Sequence, residues 1–267
     1  MKDEILALVR DHPDPAAQLN LMREYIQAMV LRSLHESEAF VNLSFVGGTA
    51  LRFLFNLPRF SEDLDFSLDA AEKYEPEKWM RKAKRDLELA GLRAGIRLST
   101  EGVVHRAWIR IPELLEEVGL AAMKAQNLSI KLEIDTHPPA GAGIEKTLLA
   151  RQRMLSLRHY DLPSLMAGKV HALLSRKYGK GRDWYDVLWY RGRRPPVEPN
   201  LVLLQNALVQ TLGKNAPDAA DWRRHSLATL ARLDCATLRE DVAPFLEHSG
   251  EADLLSVENF RTVLQPG

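Results

Sequence analysis

The spacing of apolar residues divides the chain into a mixed first part and a helical second part. Apolar residues recur every three or four positions from Leu19 to Val30, which predicts a helix that begins near Pro13 and Pro15. Beyond about residue 160 the same spacing continues, with breaks at glycine and proline. Strands confined to the first part, with helices after them, favour an α+β fold or two subdomains with a cleft between them.

Within the first part, short apolar or alternating segments bounded by turn residues predict strands, and longer amphipathic segments predict helices. The run from Pro138 to Gly143 is the strongest loop signal. We expect an N-terminal helix plus an α/β core over residues 1–155 and a helical domain over 156–267. The predicted strands are Leu43–Val46, Leu64–Leu68, Ile96–Ser99, Ala107–Ile111 and Ser129–Asp135, and the predicted helices are Thr49–Leu57 and 77–90.

Composition places the chain among ordinary globular proteins. It has 267 residues, of which 46% are hydrophobic and 27% are charged. The single cysteine, Cys235, excludes an intramolecular disulfide and a cysteine zinc cluster. No apolar run reaches the roughly 18 residues of a membrane helix, and the start Met1–Glu4 lacks the basic character of a signal peptide. We therefore expect a soluble, cytoplasmic protein that does not bind membranes.

The charges are unevenly distributed although the formal net charge is zero. Residues 146–194 contain 12 basic and 3 acidic side chains, and the flanking regions are acidic. This pattern indicates a site for a polyanion, either nucleotide phosphates or nucleic acid. A solvated basic helix face is the alternative interpretation.

Two acidic residues follow a glycine turn. Gly47 and Gly48 lie between a predicted strand and a predicted helix, where backbone N–H groups can approach an anion closely. Asp63 and Asp65 are two residues apart in a strand and so share one face. Paired carboxylates are stabilised by a hard cation such as Mg²⁺. An exposed turn is the alternative for the acids alone, but their position fifteen residues after Gly48 favours a combined phosphate and metal site.

A third acidic residue is expected from the strand Ser129–Asp135. Lys131, Glu133 and Asp135 share one face of this strand, opposite its apolar residues. Either carboxylate could join the metal site and accept a proton from an attacking hydroxyl. A solvated strand face is the alternative.

These motifs together resemble one protein family, the nucleotidyltransferase AbiEii/AbiGii toxins of bacterial abortive-infection and toxin–antitoxin systems. The resemblance spans roughly residues 40–190 and is more specific than any single motif. The family has a neutral polar residue where Asp135 stands, which makes Glu133 the first choice for the third acid. The matching segments are Gly47–Leu51, Arg59-x-Ser61-x-Asp63-x-Asp65-Phe66, Lys131–Ile134, Lys169–Arg176 and Gly181–Asp186.

The resemblance implies a polymerase-β-like nucleotidyltransferase core, a small mixed sheet with flanking helices, followed by a helical C-terminal half. It implies transfer of a nucleoside monophosphate from an NTP to an RNA hydroxyl, plausibly the 3′ end of a tRNA. It also implies a growth-inhibiting toxin restrained by a cognate antitoxin, with Mg²⁺ in a two-ion site and Mn²⁺ as a substitute.

The resemblance also assigns residues. Asp63, Asp65 and Glu133 would bind the metal, and Lys169 and Asp183 would be further catalytic residues. Asp183 would orient Lys169 or an arginine; contact with the nucleotide and a cap on the helix after Gly181 are the alternatives for it. From the pattern alone, the alternative for Lys169 is a lysine whose stem covers the core while its ammonium group reaches water. The expected nucleotide-binding residues are Gly47, Gly48, Thr49, Arg52, Arg59, Ser61, Lys169 and Arg176.

Two other functions share these motifs. A small-molecule nucleotidyltransferase of the antibiotic-modifying kind would need an acceptor pocket instead of a basic surface, and a non-catalytic module would only bind RNA or a partner protein. The presence of all three expected acids argues against the second. If RNA is the acceptor, its phosphates are expected to contact some of the remaining arginines, among them Arg151, Arg153, Arg191, Arg193 and Arg194.

Overall fold

The protein is described by a computed structural model that covers residues 1–120, 126–150 and 154–265. The chain divides into two compact units and passes between them several times. Leu57–Arg59 belong to the second unit although the residues on both sides belong to the first. The first unit contains Met1–Asn56, Phe60–His137 and Lys146–His159, and the second contains Leu57–Arg59, Pro138–Glu145 and Tyr160–Gly267.

A seven-stranded mixed sheet is the main element of the first unit, although Ile144, Glu145 and Tyr160 at its strand ends belong to the second. The strand order is β3-β4-β5-β2-β1-β7-β6. β2 and β5 are parallel, as are β1 and β7, whereas β1–β2, β3–β4 and β4–β5 are antiparallel. The strands are β1 (Leu43–Val46), β2 (Leu64–Leu68), β3 (Gly95–Ser99), β4 (Val104–Ile111), β5 (Leu128–Asp135), β6 (Ile144–Ala150) and β7 (Met154–Tyr160).

Five helices lie in the first unit within the described residues: α1 (Lys2–Arg10), α2 (Pro15–Glu36), α3 (Gly47–Phe55), α4 (Pro76–Leu89) and α5 (Leu114–Glu117). The start of α2 confirms the prediction from the proline positions. Pro15 occupies the first turn, and the Asp14 carboxylate accepts hydrogen bonds from the N–H groups of Ala16 and Ala17 at 3.0 and 3.3 Å.

The two faces of the sheet differ because β5 alternates. Ile130, Leu132 and Ile134 are buried, whereas Lys131 and Glu133 on the opposite face remain partly exposed. Helix α2 packs against β5 and α4 packs against β3. The helices therefore bury the apolar face of the sheet, and the polar face of β4 and β5 stays accessible to solvent.

The second unit is helical, as predicted. Helix α6 packs against α7, α8 and α9, while α7 packs against α10 and α11. Trp184 is fully buried and meets the ring of Phe260 edge to face, with the ring centroids 5.1 Å apart. The helices are α6 (Leu162–Ser175), α7 (Gly181–Gly192), α8 (Leu201–Leu212), α9 (Trp222–Leu230), α10 (Cys235–Val242) and α11 (Val257–Leu264).

The α+β class is confirmed, but β6 and β7 were not predicted. β6 is an edge strand, and Leu148 in β6 and Met154 in β7 are 58% and 63% exposed. Apolar residues on the exposed side obscure the alternation by which a strand is recognised in a sequence. β7 is placed by its pairing with β1, where His159 lies opposite Phe45, and such a long-range contact leaves no local signal. No helix in the three described ranges has both the length and the hydropathy to cross a membrane.

Replacing Gly181 by alanine should destabilise the protein by about 1–3 kcal/mol. A Cβ atom at Gly181 would overlap the backbone carbonyl oxygen of Leu238 in α10, so α7 and α10 would have to separate. Urea unfolding measures the change. Gly192, at the other end of α7, is the matched control, since a Cβ there meets no atom within 4 Å. Gly192→Ala should leave stability unchanged or raise it by up to ~1 kcal/mol; equal effects of the two variants would contradict the overlap.

Candidate active site

The glycine turn lies directly beside one of the predicted acids. β1 ends at Val46, which is opposite Asp65 on β2, and α3 begins at Gly47. Gly47 has a φ angle of +79°, a conformation that favours glycine. A Cβ atom at Gly47 would overlap the Oδ2 atom of Asp65. Gly47 therefore makes the turn possible and leaves room for the Asp65 carboxylate; Gly48, the next residue, is buried.

The three predicted acids lie on neighbouring strands. Asp65 is opposite Glu133 in the parallel pairing of β2 and β5, and Asp63 immediately precedes β2. The ammonium group of Lys131 lies 2.8 Å from Glu133 Oε2 and 3.4 Å from Asp63 Oδ2. Glu133 also accepts a hydrogen bond from Nε of Arg106 on β4, at 2.9 Å. Lys131 and Arg106 thus contact the acids, although the motifs in the sequence indicate no role for either residue.

Asp135, the alternative third acid, has a different environment. It lies opposite Ser67, two pairs further from the glycine turn than the pair of Asp65 and Glu133. Its Oδ1 atom accepts a hydrogen bond from the backbone N–H of His137, at 2.9 Å. This contact is typical of an aspartate that closes a turn.

Lys131 changes the protonation of the acids on both sides of it. Partial burial raises the pKa of Glu133, but hydrogen bonds from Lys131 and Arg106 outweigh that effect and leave the pKa below its usual value. Burial also raises the pKa of Asp63, and there the opposing charge of Lys131 does not compensate fully. The two carboxylates next to Lys131 thus differ, and Asp63 holds its proton more readily.

The donor atoms suit a hard cation, since Asp63, Asp65 and Glu133 all offer carboxylate oxygens, the ligands that Mg²⁺ prefers. Across residues 1–120, 126–150 and 154–265, however, no three His, Cys, Asp or Glu side chains form a group ready to bind a metal. The ammonium group of Lys131 supplies the positive charge between Asp63 and Glu133 instead. A cation bound by all three acids would take the place of this ammonium group.

Thr49 and Gln27 hold the segment that contains Ser61 and the first acid, Asp63. Thr49 is fully buried, and its hydroxyl donates to the backbone carbonyl of Asp63. The side-chain amide of buried Gln27 donates to the backbone carbonyls of Ser61 and Glu62, at 3.0 and 2.9 Å. The contact of Gln27 joins residues 34 positions apart, so no local sequence signal could have indicated it.

Arg52 is paired within the first unit. Its Nε atom lies 2.6 Å from a carboxylate oxygen of Glu24, and its guanidinium carbon lies 4.6 Å above the centre of the Phe60 ring. The Arg52 side chain is only 12% exposed. The structure thus places this predicted phosphate ligand in contacts that hold α2, α3 and the following segment together.

The remaining predicted site residues form a buried ionic cluster inside the second unit. Arg59 makes two hydrogen bonds to Asp186, both 2.6 Å long, and both side chains are at most 2% exposed. Lys169 lies 2.8 Å from Asp186 and 3.0 Å from Asp183. Arg176 contacts Asp183 and is 40% exposed. Three cations and two carboxylates leave one positive charge, and Arg176 is the member that reaches solvent.

Three members of this cluster, Lys169, Asp183 and Arg59, are held in their charged forms. Burial alone would lower the pKa of Lys169, but the charges of Asp186 and Asp183 outweigh it and raise the pKa. Burial would raise the pKa of Asp183, but Lys169 and Arg176 lower it overall. The pKa of Arg59 is raised in the same way by Asp186, against the effect of burial. Removing one partner would leave an uncompensated buried charge, which is strongly destabilising.

The sequence profile of one protein family, described as nucleotidyl transferase AbiEii toxin, Type IV TA system, matches residues 30–266. The chain belongs to this family. The predicted family and enzyme class are thereby confirmed: the protein is a nucleotidyltransferase toxin of a type IV toxin–antitoxin system, with a nucleotide as substrate and a cognate antitoxin as partner. Among curated proteins, no relative matches the chain.

Solved structures share the fold of this family member. MenT4, a nucleotidyltransferase toxin from Mycobacterium tuberculosis H37Rv, is 19% identical with a TM-score of 0.53, and the match covers 100% of this chain and 99% of that one. A putative nucleotidyltransferase from H. pylori is 18% identical with a TM-score of 0.52, covering 91% and 94% of the two chains. At these identities the likeness shows the fold alone.

The arginines expected to contact RNA have different environments. Arg191 is 11% exposed and donates to the backbone carbonyls of Val263 and Val197, at 3.0 and 3.2 Å. It therefore holds segments of this AbiEii-family toxin together, which corrects its assignment to an RNA surface. Arg193 and Arg194 are exposed, with Arg193 4.8 Å from the centre of the Trp189 ring. The predictions for Arg151 and Arg153 fall on residues outside the described ranges.

Replacing Gly47 by alanine should lower nucleotidyl transfer by about 100-fold, because a carboxylate displaced by about 1 Å costs that much. The added Cβ would push Asp65 aside. Transfer of an α-labelled NTP to acceptor, measured as kcat/KM, checks this. Gly102 is the matched control, since it has the same φ of +79° and a Cβ there meets no atom within 4 Å. Both variants should lose about 1 kcal/mol of stability; equally active variants would contradict the displacement of Asp65.

Proposed function

We propose that this protein transfers a nucleoside monophosphate from an NTP to a hydroxyl group at the 3′ end of a tRNA, in a Mg²⁺-dependent reaction that releases pyrophosphate. The observation that best supports this proposal is the strand register: Asp65 is opposite Glu133 on β5 and opposite Val46, the residue before the glycine turn, on β1. An anion-binding turn and carboxylates thus lie side by side, as phosphoryl transfer requires.

Asp63 and Asp65 would hold Mg²⁺, with Glu133 as the third carboxylate. Bound Mg²⁺ would neutralise charge on the phosphates and lower the pKa of the attacking hydroxyl. Mn²⁺ accepts the same oxygen ligands. Glu133 would bind Mg²⁺ or accept the proton of the attacking hydroxyl. Arg106 orients the Glu133 carboxylate.

The triphosphate would meet the backbone N–H groups of Gly47 and Gly48 at the start of α3. Thr49 acts indirectly in this scheme, since its hydroxyl positions Asp63. Within the second unit, Arg176 is the exposed cation of the ionic cluster, whereas Lys169 is paired with two carboxylates; the assignment of both to nucleotide binding stays a prediction. Asp183 would orient Arg176 and Lys169, while Arg52 would position the segment that leads to Asp63 through its contact with the Phe60 ring.

The RNA acceptor is supported by the toxin family to which the chain belongs and, within the basic segment 146–194, by the exposed Arg193 and Arg194. The test is incubation of the protein and Mg²⁺ with each α-labelled NTP in turn, together with total tRNA or with an aminoglycoside. We expect label in tRNA and none in the aminoglycoside. Loss of label when Mg²⁺ is removed by EDTA, and its return with added Mg²⁺, would support metal dependence. Label in the aminoglycoside alone would instead establish the antibiotic-modifying function.

Asp63→Ala is the control for that assay. Transfer should fall by several orders of magnitude. The thermal midpoint should stay the same or rise, because the raised pKa of Asp63 means that the folded protein disfavours its charged form. Near-wild-type transfer by this variant in Mg²⁺ would refute the carboxylate assignment.

The third carboxylate can be identified with a matched pair on β5. Glu133→Gln should abolish transfer, because Glu133 lies next to Asp65. Asp135→Asn should lower transfer less than about tenfold, or ~1.4 kcal/mol of barrier. Single-turnover rates with saturating NTP provide the comparison. The reverse ranking would move the role to Asp135 and leave the rest of the mechanism unchanged.

A further inference from the structure

The polar face of the sheet continues beyond the acids and carries an exposed tryptophan. On β4, Ala107, Ile109 and Ile111 are buried, whereas the residues between them point to the opposite face. One of these is Trp108, which is 42% exposed. A large aromatic side chain on an open sheet face is unusual, since tryptophan is highly buried on average.

Cations surround this tryptophan. In the strand register, Trp108 is opposite Arg97 on β3 and opposite Lys131 on β5. Arg106 and Arg110 lie two residues away on β4 and share its face. Four positively charged side chains therefore border one aromatic ring, and all of them belong to the first unit.

Most of this charge is available to a ligand. Arg97 and Arg110 are exposed, and neither has an acidic partner among the residues that the structure describes. Arg106 bonds to Glu133, yet its side chain is still 50% exposed. The surface formed by Arg97, Arg106, Trp108 and Arg110, here called the Trp108 surface, thus presents uncompensated positive charge around an aromatic ring.

The Trp108 surface adjoins the candidate active site. Arg106, Glu133 and Asp65 are successive partners in the register of β4, β5 and β2. Two strand spacings, roughly 10 Å, separate the backbones of Arg106 and Asp65. Lys131 connects the two regions as well, because it is opposite Trp108 and its ammonium group contacts Asp63. A single-stranded nucleic acid bound along this surface would therefore reach the acids.

We propose that the Trp108 surface binds the single-stranded end of the RNA acceptor and directs its terminal hydroxyl toward the acids, an inference that rests on the proposed function. Trp108 stacks on a base, and Arg97, Arg106 and Arg110 contact phosphates. Aromatic residues on a sheet face with cations around them are a common way to hold single-stranded RNA. A protein partner is less consistent with this composition, because the centres of protein interfaces are depleted in charged residues.

Binding can be measured without catalysis, using an unstructured eight-nucleotide RNA in buffer with EDTA. Trp79, Trp184 and Trp222 are at most 2% exposed, so stacking on Trp108 should dominate any quenching of tryptophan fluorescence. Trp108→Ala should abolish the quenching and weaken RNA binding about tenfold, as expected for the loss of one base stack. Trp189→Phe is the control and should retain both. An RNA that does not bind the wild type, or quenching that persists in Trp108→Ala, would overturn the proposal.

The arginines are tested by salt dependence. Replacing Arg97 and Arg110 together by Gln should lower the slope of log affinity against log salt by about 0.7 for each phosphate that the protein no longer neutralises. Arg81 and Arg85, two exposed arginines on α4, form the matched control pair and their replacement should leave the slope unchanged. If the two double variants had the same slope of log affinity against log salt, RNA would not bind at the Trp108 surface.

Steady-state kinetics distinguishes RNA binding by the Trp108 surface from the proposed nucleotidyl transfer to tRNA, on which that inference rests. If the wild type labels tRNA, Trp108→Ala should raise the KM for tRNA about tenfold and leave the KM for NTP within twofold. An unchanged KM for tRNA would overturn the Trp108 surface alone. A wild type that labels no RNA would overturn the proposed function as well. Loss of antitoxin binding in Trp108→Ala, with RNA binding intact, would show a protein interface instead.

Discussion

The parallel pairing of β2 with β5 is the constraint on which the candidate site depends. Side chains alternate along a strand, so a shift of one residue in this register would turn Glu133 toward the buried face. In the observed register, Ile130, Leu132 and Ile134 fill the apolar side and Glu133 meets Asp65. One strand register therefore determines both the packing of the core beneath the helices and the juxtaposition of the carboxylates.

Much of this arrangement could be predicted from the sequence. The alternation in β2 and β5 gives the face of each acid, and the two glycines mark the turn that follows β1. The environment of charged side chains could not be predicted in the same way. Arg59 belongs to a motif that suggested a phosphate ligand, but its partner Asp186 is 127 residues away in the chain. Lys131 shares a face with Glu133 in the sequence, yet its contact with Asp63 depends on strand pairing.

The Trp108 surface does have a signal in the sequence, although the charge distribution obscures it. Arg106, Trp108 and Arg110 alternate with Ala107 and Ile109, which is the pattern of a strand with one apolar face and one basic, aromatic face. The excess of basic residues over 146–194, in contrast, includes Arg191 and Lys169, which the structure places in mostly buried contacts. Charge is informative for binding only when its placement on a face is known, because clustering along the chain does not ensure clustering on the surface.

Leu57–Arg59 belong to the second unit, although the segments on both sides belong to the first. This arrangement limits how the protein can be cut into fragments that fold. A fragment that ends near residue 155 would keep Arg59 but lose Asp186, and with it the carboxylate that binds the buried guanidinium. Leu57–Arg59, which belong to the helical unit, would be separated from the rest of that unit. The two units are thus interleaved along the chain, and the α/β core of this toxin is not a module that can be excised or exchanged by cutting at a single point.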